Sequence, residues 1–243
     1  MIFRNCFLIL MMACSVLVSG PLENAEKAYQ EKQYAESVQL YEAALMTTPS
    51  HAGLYYNLGN AYLKNKQVGL AITMYRRSLR IDPRDKATKI NLNIARKLVL
   101  DETSPAQAPL MSWVIGFINS FTMNEYYSGL FLFLLGLNGL LIARYLDKRP
   151  DLLRQLFVSF AVAFSFFLIL FITKINCDSG DSSGVLVIKK IDVKSGPSET
   201  LPTLFYIHEG VEFTLLKTVN EWSEIQLSNG YNGWILESSY LTI

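Results

Sequence analysis

Residues 58–83 read LGNAYLKNKQVGLAITMYRRSLRIDP, and residues 25–49 read AEKAYQEKQYAESVQLYEAALMTTP. The two stretches align at a fixed offset of 34 residues, set by Pro49 and Pro83. Ala25 then falls on Gly59, Ser37 on Ala71, Tyr41 on Tyr75 and Ala44 on Ser78. Small residues at Ala25, Gly59, Ala44 and Ala71 let antiparallel helices approach closely, and Tyr41, Tyr62 and Tyr75 fill the gaps between layers. Each proline closes a second helix, because further in it would remove a hydrogen bond and clash with the preceding turn. A period of this length built from helix pairs is the signature of a solenoid.

A third helix is predicted over Lys86–Leu100, KATKINLNIARKLVL, which keeps the spacing of Leu92 and Ala95 and reads as the cap of the solenoid. The period, with Leu58, Gly59, Tyr62, Ala71, Tyr75 and Pro83 in place and Tyr55 at the preceding aromatic position, resembles the tetratricopeptide repeat. The resemblance covers residues 21–100. It implies a concave groove that takes an extended peptide or a partner helix, lined here by Tyr29, Tyr56, Asn60, Lys64 and Asn91. The plainer reading, that these are solvated residues of the first helices, stands beside it.

The first twenty residues, MIFRNCFLILMMACSVLVSG, carry one early positive charge, an apolar core and small residues at the end. This is the grammar of a signal peptide. An uncleaved N-terminal anchor, or a lipid on Cys14, are the other readings, and all three carry the following residues across a membrane.

Two further stretches are long and apolar enough to span a bilayer: 126–145, YYSGLFLFLLGLNGLLIARY, and 156–175, beginning LFVSFAVAFSFFLILFIT. Asn138 and Ser165 are polar groups inside them and are expected to face the partner helix. A linker and an interfacial helix with Trp113 are expected over 101–125, preceding the spans. Between the spans, the loop 146–155 and its margins carry Arg144, Lys148, Arg149 and Arg154, whereas residues 106–127 hold no lysine or arginine. Positive residues favour the cytoplasmic side, so the loop is expected in the cytoplasm and the flanking domains outside.

A flexible linker is expected over 176–183. Over residues 184–243 the pattern becomes short β-branched and aromatic runs punctuated by Gly, Pro and Asn. Val193, the turn SGPS at 195–198, Gly210, Trp222 and GYNGW ending at Trp234 resemble the bacterial SH3-like domain, with Lys194 where that family usually has arginine. The resemblance implies a small closed barrel and a peptide site built from exposed aromatics, for which Tyr206, Tyr231 and Tyr240 are the candidates. Ser195 has no paired histidine or acid in this pattern and is not expected to be a nucleophile.

Composition narrows the function. A net charge of +1 across 243 residues gives no basic footprint for nucleic acid. The cysteines are Cys6, Cys14 and Cys177, so no internal disulfide framework remains once the leader is set aside. Cys177 then reads as a free thiol near the membrane surface or a site of intermolecular pairing. The two histidines, His51 and His208, have no partner at ligand spacing. No phosphate-binding loop or nucleophile elbow occurs. No cofactor and no catalytic activity are expected.

The expected fold class is therefore a multi-domain membrane protein: an all-α tetratricopeptide solenoid, two transmembrane helices and a C-terminal all-β SH3-like barrel. This order resembles the BatE-type proteins of the Bacteroides aerotolerance (Bat) operon. The resemblance implies a bacterial inner-membrane scaffold with its folded domains in the periplasm. Its implied partners are other Bat-type envelope proteins, including those with von Willebrand A domains. The alternative is a protein that holds peptidoglycan through the C-terminal domain and recruits an envelope enzyme through the repeats.

Overall fold

The computed structural model describes residues 20, 22–49, 51–101, 109–146, 150–180 and 183–243. The leader with Cys6 and Cys14, most of the 101–108 linker, the loop residues Lys148 and Arg149, and the side chain of Cys177 lie outside the described residues. The chain divides into two compact units: residues 1–106 with 182–243, and residues 107–181.

The first unit begins with five helices: α1 (residues 22–30), α2 (Tyr34–Thr47), α3 (Ala52–Lys64), α4 (Val68–Ile81) and α5 (Lys86–Arg96). The repeat extends to the backbone. Lys32 and Lys66, 34 residues apart, both adopt a left-handed conformation with φ of 63° where α1 turns into α2 and α3 into α4. Ala25, Tyr41, Ala44, Leu58, Ala61, Tyr62, Ala71, Ile72, Tyr75, Leu92 and Ala95 form the helical core. Gly59 marks a close approach of the layers, since a methyl group there would lie 2.7 Å from the Tyr75 ring. Helix starts are set locally. The Nδ1 of His51 accepts from Leu54 N at 3.1 Å, and the carboxylate of Asp85 accepts from Ala87 N and Thr88 N, each at 3.1 Å.

The C-terminal part is an antiparallel sheet of seven strands: β1 (Ser183–Leu186), β2 (Lys190–Lys194), β3 (Thr203–His208), β4 (Glu212–Val219), β5 (Trp222–Leu227), β6 (Asn232–Leu236) and β7 (Tyr240–Thr242). Their order is β3-β2-β6-β5-β4-β1-β7. The expected barrel does not close, because β3 and β7 are the two edges and do not pair. The β7 edge is satisfied by the helices instead: Arg77 donates to Thr242 O at 2.8 Å, and Arg80 donates to Ile243 O. Leu186, Val193, Ile207, Val211, Phe213, Ile225 and Ile235 are buried as the sheet core.

Sheet and helices share one interface. Val185 belongs to the helical core, and Val99, just after α5, packs on both cores. The carboxylate of Glu209 accepts from Gly69 N in the first turn of α4 at 2.9 Å, where free N–H groups favour an acid. No side chain fits at Gly69, because a methyl group would lie 2.2 Å from Leu186 O. Gly210, with φ of +91°, lies against Val99, Ile72 and Val68. Arg96 forms a two-pronged pair with Glu212, with bonds of 2.6 and 2.9 Å. Asp101 accepts from His208 N at 2.8 Å.

The second unit holds α6 (Pro109–Asn119), α7 (Met123–Leu146) and α8 (Pro150–Gly180). Thr122 and Glu125 open α7 as a reciprocal cap: Thr122 N donates to Glu125 Oε2 at 2.8 Å, and Glu125 N to Thr122 Oγ1 at 3.3 Å. The α7–α8 seam is aromatic, with Phe133 against Phe160, Phe164 and Phe167. Gly129 and Gly136 make room for Phe167 and Phe160. Helices α7 and α8 are long and apolar enough to cross a membrane, and their outer faces are almost wholly exposed. Asn138 and Ser165, expected on the seam, are exposed instead. The aromatic rings fill the seam, and Asn138 satisfies its amide by donating to Leu134 O on its own helix at 2.8 Å.

Candidate functional site

The residues expected to line a repeat groove centre on α3. Tyr56, Asn60 and Lys64 lie at i, i+4 and i+8, so one helix face presents all three. Asn60 is the hub. Its Oδ1 accepts from Tyr75 Oη at 2.7 Å and from Asn91 Nδ2 at 2.8 Å. Asn91 also donates to Tyr56 Oη at 3.3 Å. With its acceptor engaged twice, Asn60 has an Nδ2 that makes no hydrogen bond among the described residues, and the Tyr56 hydroxyl keeps its own hydrogen to donate. The site therefore offers donors to a ligand that brings acceptors, as an extended backbone does.

The structure thus brings Tyr56, Asn60 and Asn91 together. Tyr29 is half-buried on α1 and stacks edge-on with Tyr34 at 5.5 Å. Its phenol is shifted upward, first by burial and then by Tyr34 and Tyr56. Lys64 is exposed one turn beyond Asn60. Tyr75 is fully buried, and burial pushes its phenol well up, so it is a neutral donor holding Asn60 in place.

Three exposed residues at the equivalent repeat positions were not singled out by the sequence reading. Ile90, Ile94 and Leu98 follow Tyr56, Asn60 and Lys64 by one repeat of 34 residues. They are 59%, 48% and 56% exposed. The offset itself was the signal that could have found them.

On the sheet, Tyr206 and Tyr231 are exposed. Lys190 Nζ sits 4.0 Å over the Tyr206 ring, and Tyr231 lies 6.0 Å from Phe205. Tyr240, expected as an exposed aromatic, is buried. Its ring meets Phe213 edge-on at 5.4 Å and its hydroxyl bonds Ser223 Oγ at 2.7 Å. The cause is register: Tyr240 pairs with Leu186 on β1, which turns it to the core face. Among the described residues, no group of three His, Cys, Asp or Glu could hold a metal ion.

The family model described as "Tetratricopeptide repeat" matches residues 52–85, and that described as "TPR repeat" matches residues 26–66. Residues 26–85 carry tetratricopeptide repeats. Among solved structures, the Arabidopsis OM64 TPR domain is similar at 22% identity, covering 33% of this chain and 67% of that one, with a TM-score of 0.32. Among curated proteins, "Probable cell wall amidase LytH" of Staphylococcus aureus is 27% identical over 75 residues, which is 30% of this chain and 26% of that protein. The same protein from Staphylococcus aureus strain USA300 matches equally. The chain thus matches about a quarter of the length of these relatives.

Proposed function

We propose that this chain is a membrane-anchored adaptor in which the repeats and the sheet act as one head and the α7–α8 hairpin is the anchor. The observation that carries this reading is the discontinuous first unit. Residues before and after the hairpin share one hydrophobic interface, so they occupy the same compartment, and the chain between them crosses a bilayer an even number of times. Two apolar helices, α7 and α8, satisfy that count. The positive residues around the connecting loop favour the cytoplasm for the loop and the envelope side for the head.

The groove on α3 and α5 is the binding site of the adaptor, and Tyr206 and Tyr231 offer a second contact on the sheet. Because helices and sheet are packed together, both sites sit on one body, not on two independently moving modules. In the setting that the module order resembles, the partners are Bat-type envelope proteins, including von Willebrand A domain proteins, and the process is tolerance of oxygen or stress. The domain limits that follow are a leader over 1–20, repeats to 100, spans near 126–145 and 156–175, and an SH3-like domain from 184.

A second reading is favoured by the partial likeness to a probable cell wall amidase. In it the sheet holds peptidoglycan and the groove recruits an envelope enzyme. Photo-crosslinking in cells separates groove use from none. A crosslinking amino acid at Lys64 is expected to give a discrete adduct that Asn60→Ala removes, whereas the same group at Glu36 gives none. Equal adducts at both positions, or none at Lys64, would overturn the adaptor. Binding of the full chain to purified sacculi, lost on Tyr231→Ala, would establish the second reading.

A further inference from the structure

We infer that the groove is two-sided, a polar row on α3 facing an apolar shelf on α5, and that it selects an extended peptide alternating apolar and acidic residues. This rests on the groove reading above and gives the chemistry of its occupant.

The shelf is an anomaly for the last helix of a solenoid, whose outer face is normally polar. Ile90 and Ile94 lie on one face of α5 at i and i+4, Leu98 follows in the turn just after the helix, and all three are about half exposed. Three large aliphatic side chains left in water mark a contact surface. Helix α5 is also not the free end that a capping role requires. The sheet already bonds Arg96 through Glu212 and packs its core on Val99, yet it leaves Ile90, Ile94 and Leu98 exposed.

The dimensions suit an extended chain. Four residues of helix from Ile90 to Ile94 rise about 6 Å, and side chains of a strand at i and i+2 lie about 7 Å apart. Alternate apolar side chains would therefore reach Ile90 and Ile94, with Leu98 just beyond the helix end. The peptide's other needs are met across the groove. Its backbone carbonyls find Asn60 Nδ2 and the Tyr56 hydroxyl, donors that a helix, with its carbonyls already bonded, would not satisfy.

Charge selects the remaining residues. Lys64 borders the polar row, and Lys86, Lys89 and Lys97 border the shelf, all exposed. The nearby acids Asp82 and Asp85 keep their charge but are tied to the backbone, Asp82 by Arg84 N and Asp85 as the cap of α5, so cations still outnumber acids on this border. The same basic border argues against a second copy pairing shelf to shelf, which would set lysine against lysine. An occupant with acids between its apolar residues is complementary.

The test uses the full chain in nanodiscs, with empty nanodiscs as the blank, and short blocked fluorescent peptides read by anisotropy. A peptide alternating leucine and glutamate is expected to bind. Versions with serine for leucine, or lysine for glutamate, are expected to bind at least about tenfold more weakly. Ile90→Ser with Ile94→Ser, and separately Lys97→Glu, are expected to cost the leucine–glutamate peptide a similar factor. These positions are exposed, and unchanged thermal unfolding confirms that each variant folds. If the serine peptide binds as tightly while Asn60→Ala still abolishes binding, the shelf is wrong and the groove stands. If neither the isoleucine variants nor Asn60→Ala changes binding, both fall. Absence of binding by the leucine–glutamate peptide overturns the proposal directly.

Discussion

Tyr62 of α3 donates a hydrogen bond to Glu42 of α2. One repeat of 34 residues later the same two positions hold Arg96 and Arg76, two cations that cannot satisfy each other. Glu212 of the sheet enters between them, 2.6 Å from Arg96 and 3.3 Å from Arg76. A contact that the helices complete by themselves in one layer is completed in the next by a carboxylate from the far end of the sequence. This contact is one of those that join the repeats and the sheet into one body.

Glu212→Gln should therefore loosen the body. The two arginines remain close together without their acid, and about 1–2 kcal/mol is the expected loss, at the lower end because the pair is partly exposed. Chemical denaturation of wild type and variant measures it. High salt should narrow the gap, since the lost interaction is electrostatic.

Gly69→Ala acts at the same interface by volume. The added methyl would fall 2.2 Å from Leu186 O, a backbone atom that moves only if the sheet moves. A cost of about 2 kcal/mol or more is expected. Gly116→Ala, where nothing lies within 4 Å, is the matched control and should unfold like wild type.

Asp85 gives the acid limb of stability. Its carboxyl is held below the ordinary value, chiefly by the Thr88 hydroxyl and also by the Thr88 and Ala87 amides. A depressed folded pKa means that its contribution is fully present above the ordinary carboxylate range and is lost as pH falls through the depressed value. Asp85→Ala should cost about 1 kcal/mol at neutral pH, and the gap should close in acid below about pH 4.

The buried tyrosines give the alkaline limb. Burial pushes Tyr41 up to about 12 and raises Tyr62 and Tyr75 as well. A raised phenol stays neutral in the fold while the unfolded chain ionises near 10. Stability is expected to fall as pH rises from about 10 toward 12. Tyrosinate absorbance should show Tyr41, Tyr62 and Tyr75 ionising together with loss of the fold.

The repeat was readable because it is written twice. Tyr41 and Tyr75, Ala25 and Gly59, Pro49 and Pro83 fix the register without tertiary information, as apolar stretches without central charge mark α7 and α8. The docking of the sheet was not readable. Glu212, Arg76 and Arg96 look like solvated charges until the fold brings them together, and Gly69 looks like an ordinary weak point in a helix. Barrel closure failed for the same reason, since the partner of the β7 edge is Arg77 and Arg80 in the helices, not a strand. Tyr240 was misread because its burial depends on register with β1, which alternation alone does not supply. The shelf on α5 lay within reach of the sequence, through the offset that relates Ile94 to Asn60.

The central claim is one head on one side of a membrane. Single cysteines at Glu36 in the repeats, Thr200 in the sheet and Asp147 between the spans, in a background with the native cysteines replaced by serine, would be labelled with a membrane-impermeant maleimide in intact and lysed spheroplasts. Positions 36 and 200 are expected to label together in intact spheroplasts, and position 147 only after lysis. Labelling of 36 and 200 from opposite sides would contradict the account, because helices and sheet could not then share the interface that Glu212 closes.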